Sequence, residues 1–170
     1  MQKIHFLEDD YCQIELLPIT DKDWANRMFN AIDRKIDTSN MKRPCDIQRL
    51  GIKQEEFAKS ILKAFNQCQV FWDETYDHPC DSICAFGMSE RVTVFLEDEH
   101  GVVSSLWMTL DVREMDDCEQ AKKMLYVISG IAPLVLVDWG WRCAILLKDT
   151  DKLSEYLYKR LKVFNNVKYL

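Results

Sequence analysis

Two strand-like segments joined by a very short turn constrain the fold of this chain more than any other feature. Residues 91–98 and 102–113 each alternate apolar with polar side chains, as strands with one buried face do. Between them stands Glu99-His100-Gly101, which is short and contains the glycine that a tight hairpin needs. Strands joined by tight turns pair antiparallel, so the pattern predicts a mainly antiparallel sheet.

The remaining periodic segments complete an α+β fold. Apolar residues recur every four positions from Trp24 to Ile36, which predicts a helix that begins near Thr20 and ends near Asp37. Further helices are predicted over 53–67, from Asp116 to Gly130, and from Thr150 onward. Strands are predicted over 82–88, 134–137 and 142–147, whereas 70–79 fits either a strand or a loop. We therefore expect about five strands, with helices packed on one face, in the order α-α-β-β-β-α-β-β-α.

Composition sets the broad class. A chain of 170 residues without an internal break in composition fits a single domain, 1–170. Its 7 cysteines are scattered and odd in number, as in proteins of a reducing cytoplasm.

The net charge of -6 disfavours nucleic acid and anionic lipid as ligands, and it favours a basic partner. No apolar stretch approaches the roughly 20 residues of a membrane span. We expect a soluble cytoplasmic protein that contacts neither nucleic acid nor membrane.

Sequence patterns of catalysis and cofactor binding are missing. The five glycines cannot be arranged into a phosphate-binding loop. The three histidines, His5, His78 and His100, lie in no family-type catalytic signature, and the abundant carboxylates are typical of a solvated surface. The sequence therefore assigns no catalytic residue and no cofactor.

One short segment carries potential metal ligands. His78, Cys80 and Cys84 are side-chain types that zinc prefers. Three residues separate the two cysteines, which gives a Cys-x3-Cys spacing. This spacing is less diagnostic than two separated Cys-x2-Cys pairs. Two ordinary thiols in a loop account for it more simply, so no metal is assigned.

Two turns are candidates for binding a partner. In 138–142 two tryptophans flank a glycine beside an arginine, and Trp and Arg are frequent interface anchors, although one Trp could instead fold back over the sheet. The acidic hairpin over 96–101 would meet a basic surface, although any hairpin tip is polar. The candidate partner-binding residues are Trp139, Trp141, Asp138, Arg142, Glu97, Asp98 and Glu99.

The run Ser104-Ser105-Leu106-Trp107-Met108-Thr109-Leu110-Asp111-Val112-Arg113, followed by a helix, a strand pair and a last helix, resembles part of a known class of protein. It is similar to small bacterial proteins that are encoded beside polymorphic toxins as immunity proteins. The resemblance covers about the C-terminal half and carries over no site residue. It implies a small, acidic, non-enzymatic cytoplasmic protein that blocks a toxin domain.

The first hypothesis is therefore an immunity-type inhibitor that binds a protein partner, such as a basic toxin domain, directly. One alternative is an enzyme of small substrates with a Cys/His or carboxylate site assembled in space. Another is a regulatory module that recognises some other protein.

Overall fold

The computed structural model describes residues 1–5, 12–72, 75 and 77–167. Its helices are α1 (Lys22–Asp33), α2 (Gln54–Ile61), α3 (Met115–Ser129) and α4 (Thr150–Val167). Its strands are β1 (Gln2–His5), β2 (Ile14–Pro18), β3 (Asn66–Phe71), β4 (Cys84–Ser89), β5 (Val92–Glu99), β6 (Val102–Leu110), β7 (Leu134–Asp138) and β8 (Cys143–Leu146).

The eight strands form one mixed sheet in the order β1-β3-β4-β5-β6-β2-β7-β8. β1 runs parallel to β3, and the other neighbouring strands are antiparallel. The α+β character agrees with the prediction. The predicted count of about five strands and the predicted element order are wrong, because two strands precede α1 and β3 follows α2.

The three strands that the sequence did not predict depend on distant pairing. β2 lies inside the sheet between β6 and β7. Its neighbouring residues Leu16 and Leu17 are both buried, because one faces each side of the sheet. Such a strand shows no alternation of apolar and polar residues. Likewise, the second helix ends at Ile61 rather than Gln67, since the chain from Asn66 pairs with both β1 and β4.

The main core fills one face of the sheet, which we call the first face. Alternate residues of the central strands point to this face, and α2, α3 and α4 cover it. The residues that are fully buried there include Leu16, Val94, Leu96 and Met108 of the strands, Phe57 of α2, Met124 and Leu125 of α3, and Leu157 of α4.

The opposite face, the second face, carries two smaller cores. Phe29 and Ala25 of α1 pack on Val135 and Val137 of β7. At the other end of the sheet, Phe95 and Trp107 are buried with residues of β1, β3 and β4 and of the 77–83 segment, and their rings stack with centroids 5.6 Å apart. The expectation that the helices pack on one face is therefore wrong, because α1 covers the side opposite α2, α3 and α4.

In the part of the chain that the structure describes, the helices lack the length and apolar character that crossing a bilayer requires.

Candidate functional site

The two tryptophans of the β7–β8 turn occupy different environments. Trp139 folds back over α1, one of the two outcomes that the sequence left open. Its ring makes edge-on contacts with Trp24 and Phe29, at centroid distances of 5.8 and 5.4 Å. Its indole Nε1 donates a hydrogen bond of 2.6 Å to Oε2 of Glu15. Trp139 thus belongs to the core of the second face.

Trp141 remains 40% exposed and is nevertheless held at several points. Its backbone N–H donates to Oδ1 of Asp138 over 2.9 Å. Its ring meets Tyr156 edge-on at 5.8 Å, and the guanidinium of Arg160 lies 4.9 Å from its centroid. A cation over the face of an indole is attracted to it. Arg160 and Tyr156 therefore hold one side of the Trp141 ring, while part of the ring faces solvent.

The carboxylate that organises this turn is buried. Asp138 is only 1% exposed, and its Oδ2 accepts from the Tyr156 hydroxyl over 2.7 Å and from Nη2 of Arg160 over 2.5 Å. Arg160 also donates from Nε to the Tyr156 oxygen and from Nη1 to the carbonyl of Leu110. A buried charge is tolerated only when it is paired and hydrogen-bonded in this way.

The same environment determines whether Tyr156 and Arg160 are protonated. Burial raises the pKa of Tyr156 far above its usual value. For Arg160, burial acts to lower the pKa, but the neighbouring Tyr156 and Asp138 outweigh it and raise the pKa above normal. Tyr156 therefore remains protonated and Arg160 charged across ordinary pH. The cluster positions Trp141 and does not exchange protons.

A cleft of about 970 Å³ opens beside Trp141, at the end of the sheet where β6 ends and α4 approaches its C-terminus. This volume lies within the range of ligand sites in proteins. We call it the Trp141 cleft. Its lining among the described residues includes Met88, Arg91, Asp111, Arg113, Trp141 and Val163. Three large apolar side chains at this cleft are exposed, Met88, Trp141 and Val163.

Two arginines of the Trp141 cleft are paired at the surface. Arg91 contacts Glu114 at 2.5 Å and Oδ1 of the buried Asp117 at 3.3 Å. Arg113 contacts Asp111 at 2.6 Å. These ion pairs raise the pKa of each guanidinium, chiefly through the hydrogen bond to the partner carboxylate.

Arg142 and the acidic hairpin over 96–101 lie outside the Trp141 cleft. Arg142 forms an ion pair with Asp33 at the end of α1, so it ties the turn to that helix. In the β5–β6 hairpin, Asp98 accepts from the Gly101 N–H and Glu99 accepts from Gln48. This hairpin and the Trp141 cleft lie at opposite ends of the nine-residue strand β6, separated by roughly 26 Å at ~3.3 Å per residue. The two candidate turns therefore do not form one surface.

The potential metal ligands are not brought together. Cys80 is buried in the second-face core, whereas Cys84 packs against the first-face core and accepts a hydrogen bond from Gln54. His78 is exposed. Within the described ranges, no group of three or more His, Cys, Asp or Glu side chains could hold a metal ion.

Sequence reasoning missed Arg160 and Tyr156. Both lie in the last predicted helix, which was assigned no binding residue. Their four-residue spacing places them on one helix face, which is the signal that could have suggested a shared contact. The acceptor of that contact, Asp138, lies 22 residues before Arg160 and could be found only in the folded chain.

Part of the chain is similar to a curated protein, a translationally-controlled tumor protein homolog of Theileria annulata. The two are 26% identical over 92 residues, which make up 52% of this chain and 53% of the relative. The chain thus spans about half the length of the curated relative it matches. No family model and no solved structure matches it.

This similarity corrects the resemblance drawn from the sequence. The relative is a eukaryotic tumor protein homolog rather than a bacterial immunity protein. The resemblance to toxin-immunity proteins, the bacterial origin it implied and the inhibitor function that rested on it are therefore wrong. The relative does not favour the regulatory-module alternative either.

Proposed function

We propose that this chain is a cytoplasmic protein that binds a segment of a protein partner in the Trp141 cleft. The observation that carries the proposal is the state of Trp141. Its indole is partly exposed, yet its backbone and ring are held by Asp138, Tyr156 and Arg160. An anchor fixed before binding loses little conformational entropy when the partner arrives, so it contributes more to affinity than a mobile one.

The shape and lining of the cleft support a chain segment as the ligand. The cleft is open and large, and apolar side chains from three different elements border it: Met88 of β4, Trp141 of the β7–β8 turn and Val163 of α4. Trp is a frequent hot-spot residue, and Met adapts its shape to the group it contacts.

Cysteine usage supports the cytoplasmic part of the proposal. All 7 cysteines are free. An oxidising compartment would favour disulfides in a chain with this many thiols. The net charge of -6 further disfavours nucleic acid and anionic lipid as ligands of the surface as a whole.

The test is a selection of ten-residue peptides from a displayed random library on the purified chain. We expect the selected peptides to lose about 30-fold or more in affinity for Trp141→Ala, as loss of a hot-spot side chain does. The matched control is Tyr126→Ala, because Tyr126 is 73% exposed on α3 and does not line the cleft. The control should bind as the wild type does.

The proposal is wrong if the selected peptides bind Trp141→Ala and Tyr126→Ala equally well, or if no peptide is selected that depends on Trp141. Circular dichroism establishes that each variant is folded. Should Trp141→Ala fail to fold, Val163→Asp at the rim of the cleft provides the same comparison, because Val163 is 50% exposed.

A further inference from the structure

We infer that the partner segment binds in an extended conformation and adds to the sheet as a short strand beside Leu110–Val112, the end of β6, with one of its side chains packed on Trp141. This inference rests on the proposed function and names the conformation in which the partner binds.

The sheet is incomplete beside the end of β6. β6 has β5 on one side and β2 on the other, and β2 pairs with β6 where Glu15 lies opposite Trp107. β6 continues past this position to Leu110, whereas β2 begins at Ile14. In the part of the chain that the structure describes, no strand pairs with Leu110 on the side away from β5. The sheet therefore has a gap at this end, between β6 and the strand pair of β2 and β7.

The chain just before β2 does not follow β6. Gln13 stays beside β7, because its carbonyl accepts from the Trp139 N–H over 3.0 Å. Cys12 has a φ of 54°, and its side chain packs on the second-face core, with its Sγ 4.0 Å from Oγ of Ser105. The Trp141 cleft opens at the gap, because residues from the start of β2 and from the end of β6 both line it.

Backbone groups at the end of β6 point into this gap. The Asp111 N–H donates to the Arg91 carbonyl over 2.8 Å, so the backbone of Asp111 bonds toward β5. Hydrogen bonding alternates from one side to the other along an antiparallel strand, so the N–H and carbonyl of Leu110 point away from β5. The Leu110 carbonyl agrees with this, since it accepts from Nη1 of Arg160 over 2.9 Å.

The extended conformation continues beyond the last residue of β6. Leu110 and Val112 are buried in the first-face core, whereas the side chain of Asp111 between them is 44% exposed. This alternation is that of a strand, so the backbone groups of Val112 also point to the side away from β5. A row of strand-edge donors and acceptors is complemented by another extended segment, which gains affinity from main-chain hydrogen bonds.

Arg160 places the Trp141 ring beside this edge. Its Nη1 bonds to the Leu110 carbonyl, and its guanidinium lies 4.9 Å from the centroid of Trp141. The edge and the aromatic anchor are therefore within the span of one side chain. In an extended segment every second side chain faces the same side of the sheet. One such side chain can pack on Trp141 while the main chain pairs with Leu110 and Val112.

The first experiment is a scan of backbone N-methylation along the selected peptides that depend on Trp141. An extended segment turns every second N–H toward β6. We expect N-methylation at alternate positions to lower affinity about fivefold or more, as loss of a backbone hydrogen bond does, and the positions between them to tolerate it.

The second experiment measures amide hydrogen exchange of the chain with and without the same peptides. The Leu110 N–H should exchange about tenfold more slowly when a peptide is bound. The matched control is the Asp111 N–H, which is already bonded to Arg91 and should not change.

Each other outcome has one meaning. Trp141-dependent peptides whose sensitive positions recur every three or four residues, or that have no sensitive position, overturn the added strand and leave the proposed function standing. An unchanged Leu110 amide overturns the pairing with β6 whichever pattern the peptides show. Absence of any Trp141-dependent peptide overturns both the inference and the proposed function.

Discussion

At the scale of single residues, three groups converge on the buried carboxylate of Asp138: the Tyr156 hydroxyl, the Arg160 guanidinium and the backbone N–H of Trp141. Removing one partner of a buried ion pair leaves the other charge without compensation. The position of Trp141 therefore depends on a side chain that no ligand can reach.

Asp138→Asn keeps the shape of this side chain and removes its charge. We expect it to lower the free energy of unfolding by about 3 kcal/mol, because Arg160 is left buried and unpaired. The matched control is Asp111→Asn, which breaks an exposed pair and should cost less than about 1 kcal/mol. Urea denaturation measures both. Equal losses in the two variants would show that the Asp138 pair contributes no more than a surface one.

Glu15 gives the fold a pH dependence. Burial raises its pKa above the usual value, and the hydrogen bond from Trp139 and the charge of Arg43 only partly offset this. A carboxyl group with a raised pKa binds protons more readily in the folded state, so stability is lost as pH rises above about 4.5.

Glu15→Gln should remove this loss, because the amide oxygen can still accept from Trp139 and carries no charge. We expect the unfolding free energy of Glu15→Gln, relative to the wild type, to increase as pH rises above about 4.5 and to level off above the raised pKa of the folded state. The measurement is urea denaturation of both proteins at several pH values. A difference that is constant with pH, or that falls, would contradict the assignment.

The outcome for the two tryptophans shows where sequence reasoning stops. The sequence Asp138-Trp139-Gly140-Trp141 indicates the turn. It leaves open whether each tryptophan faces a partner or folds back over the sheet. Which one folds back depends on Glu15, the acceptor for Trp139, and this residue is 124 positions away. A contact of that kind leaves no local pattern.

At the scale of elements, local periodicity predicted the strands that pair through hairpins and missed those that pair across the chain. β5 and β6 alternate in sequence because apolar residues fill their first face while Thr93, Ser105 and Thr109 interrupt the other, although Phe95 and Trp107 are also buried on the second face. β1 is four residues long and pairs with β3, where Gln2 lies opposite Cys68, 66 residues later in the chain. The burial of β2 on both sides removed the alternation by which a strand is recognised.

The β4–β5 hairpin depends on a close backbone approach. A Cβ atom at Gly87 would lie 2.7 Å from both Thr93 Oγ1 and the Val92 carbonyl oxygen. We expect Gly87→Ala to lower the unfolding free energy by about 2 kcal/mol, the usual cost of overpacking. Gly140→Ala is the control, because its added Cβ would meet Asp138 Oδ1 at an ordinary 3.4 Å. Urea denaturation that shows the two variants equally stable would contradict the close approach.

At the scale of the whole molecule, the sheet carries helices on both faces, and the free thiols are distributed through it. The sequence pattern did not predict the placement of α1. An alternating strand indicates one buried face, whereas Val135 and Val137 of β7, buried against α1, show that a helix covers the second face too.

The free thiols can be counted. In denaturant without reductant, we expect an alkylating reagent to modify all 7 cysteines, since none is in a disulfide. Under native conditions Cys118 should be protected, because it is fully buried beneath α4, whereas Cys45 should react. Mass spectrometry gives both counts. Two thiols that resist alkylation in denaturant would indicate a disulfide and contradict the cytoplasmic proposal.

The central claim is that the partner binds at Trp141 and not at the acidic hairpin. The most direct measurement is a titration of the ¹⁵N-labelled chain with a selected peptide, followed by the shifts of its amide signals. We predict that the largest shifts arise from Trp141, Arg113 and Val163, while Asp98 and Glu99 at the far end of β6 stay unchanged. Shifts centred on Asp98 and Glu99, with Trp141 unaffected, would contradict the account.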